Sequence, residues 1–343
     1  MIQMELKELT QRLCALPGPS GSEGAVLSFI EEYVRPFADE VRTDPLGNLI
    51  AVRRCGRPGA GSLLLDAHMD EIGLVVTSAE DGFLRFSAVG GVDPRLLPAS
   101  EVRVLAEPPL YGVIGMMPPH VLSAEEMENA VPADKLGIDV GLTQEEAEKR
   151  CPPGTPVVFT GALAELGDGY LTGKALDDRS CAAIQIKAFE ALAGEALDTD
   201  LILLISTQEE IGGRGAVVGA YGAEPDRAIV ADVTFAKAPD TTDVRIALGK
   251  GPAIGIGPNM DRRLTQALFA IAKDRGIPYQ TEVLPGSSGT NAEEIQISRG
   301  GVAAALVSLP LRYMHTPVET VRLDDMENTL RLITEAVREA ASI

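Results

Sequence analysis

Two apolar rhythms alternate along the chain. Leu201-Ile202-Leu203-Leu204-Ile205 and Val302-Ala303-Ala304-Ala305-Leu306-Val307 are unbroken hydrophobic runs, the pattern of strands covered on both faces. Leu264, Leu268 and Ile271, and later Met326, Leu330, Ile333 and Val337, instead recur at three- and four-residue spacing, as on one face of a helix. Cys181, Ile184, Ala188 and Leu192 mark another such face, and residues 49–53, 63–66 and 228–233 read as further strands. The opening predicts two helices. The first covers residues 5–16 and stops at Pro17-Gly18-Pro19-Ser20-Gly21; the second follows Ser22, a candidate N-cap, with Val26, Leu27, Ile30, Val34 and Phe37 along one side. Asp44-Pro45-Leu46-Gly47-Asn48 is a turn.

From residue 72 to 159 the texture changes. Short strand-like runs (72–77, 83–88, 101–105 and 110–115) alternate with Gly and Pro turns, and Ser123-x-x-Glu126 and Thr143-x-x-Glu146 are capping boxes that start short polar helices. After Gly161 strands and helices alternate again. The expectation is an α/β fold: a largely parallel central sheet with helices on both faces, built from residues 1–71 and 161–343, and a small inserted β-rich domain at 72–160.

Composition narrows the function more than the fold. A 45% hydrophobic, 23% charged chain has ample core for a soluble globular protein, and its longest apolar runs are far below the ~20 residues of a membrane span. The acids in Met-Ile-Gln-Met-Glu-Leu-Lys-Glu-Leu do not fit a signal peptide, so a cytoplasmic location is expected. Cys14, Cys55, Cys151 and Cys181 are scattered, with no Cys-x-x-Cys pair, which points to thiols in a reducing compartment. A net charge of −20 argues against nucleic acid and against anionic membrane surfaces as partners.

Only three histidines serve the chain, and two sit in acid-bearing segments just past apolar runs: His68 in Asp66-Ala67-His68-Met69-Asp70-Glu71, and His315 in Met314-His315-Thr316-Pro317-Val318-Glu319. Between them come Asp177-Asp178, Glu209-Glu210 and Asp232, each near a hydrophobic segment. In parallel sheets ligands bind at the carboxyl ends of strands, where all of these fall. Imidazole and carboxylate are the donors a borderline-hard dication takes, and a shared carboxylate can bridge two. Two dications would balance three ligand carboxylates and a hydroxide; without them the acids would repel and take up protons. Glu209-Glu210 would diverge along a regular strand, but the following Ile211-Gly212-Gly213 breaks the alternation and lets both converge. Taken singly each position has a plainer reading: a structural His, a helix N-terminal acid pair, a loop doublet, a turn former. It is their coincidence at one edge that argues for a site.

At these residues the chain resembles the tetrahedral (TET) family of dinuclear metallo-aminopeptidases, some of whose members carry the label endoglucanase. The matching motifs are residues 66–73, Lys174-Ala175-Leu176-Asp177-Asp178-Arg179, Thr207-Gln208-Glu209-Glu210-Ile211-Gly212, Ala231-Asp232-Val233-Thr234 and Arg312-Tyr313-Met314-His315-Thr316-Pro317, with Gly112-Val113-Ile114-Gly115 and Pro118-Pro119-His120 resembling the family's insert. The resemblance implies two divalent ions, zinc above cobalt or manganese. His68 and Asp232 would hold one and Glu210 and His315 the other, with Asp177 between them, Glu209 as general base and Asp70 orienting His68. It also implies a cis peptide after Asp177, short peptide substrates, dimer contacts through the insert, and six dimers closing into a dodecamer. His120, in the insert, is read as structural. A carboxypeptidase or amide deacylase with the same centre, a glycosidase and a non-catalytic shell protein are the rival functions. One departure stands out: where the family commonly has Gly-Thr-Asp-Ala, this chain has Gly289-Thr290-Asn291-Ala292, one negative charge fewer near the expected pocket, and Glu293-Glu294 follow either as selectors of a basic residue or as an exposed helix start.

Overall fold

A computed structural model describes residues 4–121, 123, 129–239 and 241–340. Among these, eight strands form the main sheet, six close into a barrel, and three short ones make a second sheet. The main sheet runs in the order β1 (Glu40–Thr43), β2 (Leu49–Arg53), β12 (Asp200–Ser206), β3 (Ser62–His68), β13 (Arg227–Phe235), β16 (Ala303–Leu311), β14 (Ala253–Ile256) and β15 (Gln280–Val283). Its central strands β12, β3, β13 and β16 are parallel, as are β14 and β15, while antiparallel pairs lie toward both margins. The largely parallel α/β core expected from the strand–helix alternation is therefore present.

Each central strand divides its side chains between two cores, because successive residues point to opposite faces. Leu63, Leu65, Leu203, Ile205, Ile229, Ala231, Ala305 and Val307 pack under α1 (Leu6–Ala15), α2 (Gly24–Val34), α4 (Leu176–Ala191), α6 (Arg262–Asp274) and α8 (Leu323–Arg338). Leu64, Ile202, Leu204, Ala228, Val230, Ala304 and Leu306 pack under the shorter α5 (Arg214–Ala223) and α7 (Asn291–Gln296). Each fully buried Leu or Ile contributes about 1.5–3 kcal/mol, so this double cover is what fixes the sheet. The second face has less helix to cover it. There the alternating positions turn polar toward the strand ends: Asp66 and His68 on β3, Ser206 on β12, Asp232 on β13 and Ser308 on β16.

The barrel joins β4 (Gly73–Glu80), β5 (Phe83–Val89), β8 (Gly137–Asp139), β7 (Leu110–Gly115), β6 (Glu101–Val104) and β9 (Pro156–Phe159) around its own core of Leu74, Leu84, Val102, Ile114, Ile138 and Val157. Beside it α3 (Gln144–Arg150) starts with the expected capping box of Thr143 and Glu146. The other box runs into Glu126, which lies outside the described residues. Ser22 does not cap α2: its N-cap is Glu23, and the Ser22 amide closes the preceding turn onto the Pro19 carbonyl. The second sheet, β10 (Ala164–Leu166), β11 (Tyr170–Gly173) and β17 (Glu319–Arg322), pairs Gly173 with Glu319 and so carries Glu319 to the start of α4. Among the described residues no helix is long and apolar enough to cross a membrane, and all four cysteines are free.

Candidate metal centre

Strand register assembles the site. Ser206 lies opposite His68, and Val230 opposite Asp66, so Asp232 two residues on comes level with His68 at the carboxyl edge. Asp177 and Asp178 open α4 in non-helical conformation across a cis peptide, as the resemblance implied. Gln208, at φ 57°, turns the chain after β12 so that Glu209 and Glu210 both face the same cleft. His315, at φ 60°, comes from the loop between β16 and β17.

All seven residues expected at the site converge. His68 Nε2 lies 3.2 Å from Asp177 Oδ1, and His315 Nε2 lies 3.3 Å from Asp177 Oδ2. Glu210 Oε2 is 3.3 Å from His315 Nε2, and Glu209 Oε2 is 3.8 Å from His68 Nε2. Two donors at ~2.0–2.2 Å from a tetrahedral ion are separated by roughly 3.3–3.6 Å, so the three shorter spacings are close to edges of a coordination shell, while Glu209 stands farther off. Asp177 offers one oxygen to each imidazole. Two groups of donor atoms lie within 4.8 Å of one another and share His68: His68, Asp177 and Glu210, and His68, Asp178 and Asp232.

Asp178, in that second group, has no role implied by the sequence motifs. It is fully buried; its Oδ2 accepts the His68 amide at 3.2 Å, and its Oδ1 has no hydrogen-bond partner. Buried carboxyls left so poorly partnered favour the neutral form. Burial, reinforced by neighbouring carboxylates, raises Asp178 and Asp232 well above the usual range and Glu210 to about 9. On the imidazoles burial is the largest single influence and works the other way, yet Asp177 together with Asp70 and Glu209 at His68, and with Glu210 at His315, outweighs it and raises His68 well above its ordinary value and His315 to about 9. A bound dication would replace the protons that this crowding demands, and the donor set of imidazoles and carboxylates fits one.

A layer of positioning contacts surrounds the donors. Asp70 sits 3.3 Å from His68 Nδ1, near enough to pair electrostatically though off the line of a hydrogen bond. Its oxygens accept the amides of Glu209 and Glu210 at 3.0 and 3.2 Å and the Ser20 hydroxyl at 2.6 Å, so it fixes the acidic doublet as well as facing the histidine. Glu319, buried and unassigned in the sequence reading, accepts the Asp177 amide at 3.0 Å and the His315 amide at 2.9 Å. Its place four residues after His315 was the only signal available. The barrel supplies Gly91: a Cβ there would lie 2.5 Å from His315 Nδ1, so only glycine lets the loop after β5 close on that ring. Behind the site the fully buried Arg179 donates to the Met69, Leu13 and Gly18 carbonyls and to Glu71, which also binds Lys174 at 2.7 Å.

The family model for M42 glutamyl aminopeptidases matches residues 47–332. The chain belongs to the M42 glutamyl aminopeptidase family. It is a metal-dependent aminopeptidase, a hydrolase acting on peptides. The enzyme is 38% identical over 339 residues to the lysyl aminopeptidase of Pyrococcus furiosus, covering 97% of this chain and 96% of that one. Among solved structures it resembles the aminopeptidase APDkam598 from the archaeon Desulfurococcus kamchatkensis, with TM-score 0.90, 38% identity, and 97% and 94% of the two chains covered. It also resembles the TET1 peptidase of Pyrococcus horikoshii, at TM-score 0.86 and 34% identity over 98% of this chain and 100% of that one; that protein assembles into a tetrahedron or a large octahedral shell.

The motif departure turns out to concern the core. Asn291 is buried; its amide donates to Asp66 Oδ2 at 2.9 Å and to Ser206 Oγ at 2.8 Å, and it does not line the cleft. Glu293 is held by Ser287 and by the Ser288 amide, and neither it nor Glu294 lines the cleft. His120 is exposed on the short turn Pro119–Val121 that follows β7, and it does not line the cleft.

Proposed function

We propose that the enzyme removes N-terminal residues from short peptides at a centre of two divalent cations, zinc above cobalt or manganese. His68 and Asp232 would hold one cation and His315 and Glu210 the other, with Asp177 bridging. The observation that carries this reading is Asp177, whose two carboxylate oxygens face two different imidazoles at 3.2 and 3.3 Å. Bound there, the cations would supply Lewis acidity to the scissile carbonyl and acidify a water. Glu209, on the cleft wall, is the residue free to move protons. Burial raises its carboxyl above the ordinary range, with the His68 charge pulling the other way, which makes it a stronger base than an ordinary carboxylate. Its Oε2 takes the proton of the attacking water and returns it to the departing amine nitrogen. Asp70 and Glu319 keep the donors aligned through backbone amides.

We further infer a homo-oligomer in which the 72–160 insert makes dimer contacts, in keeping with the assembly of the Pyrococcus horikoshii protein and with Phe83, Tyr111, Met116 and Met117 exposed on the barrel. A cytoplasmic setting agrees with the free cysteines. The roles are tested by substitution. Glu209→Gln should lower turnover of amino-acid anilides by at least ~10²-fold with metal content unchanged, whereas His68→Ala should lose bound metal by elemental analysis. An active Glu209→Gln enzyme refutes the general-base role, and preference for N-blocked substrates refutes the free-amine requirement.

A further inference from the structure

The cleft beside the centre has a volume of about 460 Å³, and its charged lining contains Asp177, Glu209, Glu210, Asp232 and His315, all accounted for by the centre, together with one carboxylate that is not: Glu282. Glu282 lies on β15 at the sheet margin, register-paired with Gly255 on β14. No side chain at Gly255 stands in the way, so the Glu282 carboxylate reaches over β14. There Oε2 accepts the Ser308 hydroxyl of β16 at 2.6 Å, and Oε1 accepts the Thr234 hydroxyl of β13. Two buried hydroxyls therefore aim this carboxylate into the cleft. Two of its roughly four lone-pair sites are taken. Among the described residues Glu282 has no Lys, Arg or His within ion-pair distance, and no Lys or Arg lines the cleft.

Its distance from the centre has a chemical meaning. Thr234 and Asp232 lie on one face of β13 two residues apart, about 6.6 Å along the strand. A substrate whose amine and first carbonyl sat at the centre would send its first side chain into this cleft, which Leu306, Met314 and Phe235 also line, toward Glu282. A four-carbon stem suits those apolar groups while its ammonium reaches the carboxylate. An acidic side chain would meet like charge, and a plain apolar one would leave the Glu282 charge desolvated with only its two hydroxyl partners.

Building on the aminopeptidase reading, we propose that Glu282 is a specificity-determining residue that selects lysine or arginine at the substrate's N-terminus. The test compares lysyl, arginyl, leucyl and glutamyl anilides on the metal-reconstituted enzyme, and in parallel measures binding of free L-lysine, L-leucine and L-glutamate by calorimetry. The wild type should favour lysyl and arginyl over leucyl reporters in kcat/KM. Glu282→Gln, whose amide oxygen still accepts one hydroxyl while its NH2 donates to the other once that hydroxyl turns round, should cut the lysyl-to-leucyl ratio about tenfold or more, and Glu282→Lys should raise the glutamyl reporter relative to the lysyl one. Glu282→Asp, with the charge withdrawn by one methylene, should shift preference from lysyl toward the longer arginyl. Equal kcat/KM for lysyl, leucyl and glutamyl reporters in the wild type overturns the assignment, and so does a Glu282→Gln enzyme whose lysyl and leucyl activities fall in equal proportion. Lysine binding that is weakened by Glu282→Gln in an enzyme cleaving no anilide would sink the hydrolytic reading while leaving Glu282 in its role.

Discussion

Asp66 is a fully buried carboxylate whose nearest partner is the carboxamide of Asn291. Burial raises it to about 7, with the Asn291 and Ser206 hydrogen bonds pulling the other way. Restoring the aspartate common in the resembling family would set two carboxyls in contact where water cannot separate them. Asn291→Asp should therefore cost about 1–3 kcal/mol in denaturant melts. A carboxyl whose value is raised on folding makes its unfavourable contribution as pH climbs above the unfolded-state range, so the loss should be larger at pH 8 than at pH 5. An unaltered midpoint at both pH values would show that the pair is relaxed by water or by a shift of α7. His68 and Asp232 as donors, and Glu209 as a base beside them, were readable because acids and imidazoles follow apolar runs. Asp178 and Glu319 were not, because what they do depends on which backbone amides come to them.

Elements converge on the site through two devices that side-chain periodicity does not encode. The first is Arg179 at the start of α4, which gathers carbonyls from α1, the turn after it and the end of β3, and pairs with Glu71. Removing one partner of a buried pair leaves the other uncompensated, so Arg179→Met should destabilise by about 3–5 kcal/mol in equilibrium unfolding. A loss below ~1 kcal/mol would mean Lys174 suffices for Glu71. The second is the loop after β5, where Gly91 packs on the His315 ring. Gly91→Ala should displace that ring and lower kcat/KM about 10–100-fold with the unfolding midpoint little moved, read by anilide kinetics beside thermal melts. At this scale the pattern did well on long periodic segments: the strand at 49–53 and the α8 face lie where expected. It missed β1 and β15, four-residue strands at the sheet margins, because half-exposed short strands carry no distinctive run, and β14, which is buried but only four residues long and interrupted by Gly255. It also gave no sign that α4 is buried on nearly every side.

For the molecule as a whole, the centre couples chemistry to stability. A cation that binds only the folded chain stabilises it by mass action, about 3–4 kcal/mol at a hundred to a thousand times its Kd. Exhaustive chelation should accordingly lower the unfolding temperature, and readdition should restore it; an indifferent melting curve would argue that no cation is held. Assembly is tested separately. Tyr111→Asp combined with Met117→Asp places charge among the exposed apolar groups of the barrel, which are 60% and 62% accessible at these positions. The pair should reduce the particle mass by light scattering, and unchanged mass would move the contact elsewhere.

The sequence by itself determined the class of fold and the chemistry of the centre. Apolar periodicity needs only local geometry, and His, Asp and Glu past strand ends offer the same donor atoms however the chain closes. Tertiary structure decided what depends on register and burial. It put one Asp177 oxygen toward each imidazole, turned Asn291 inward onto Asp66, and brought Glu282 across β14 into the cleft. Each of these contacts joins positions tens to hundreds of residues apart, and no spacing along the chain specifies which strands become neighbours.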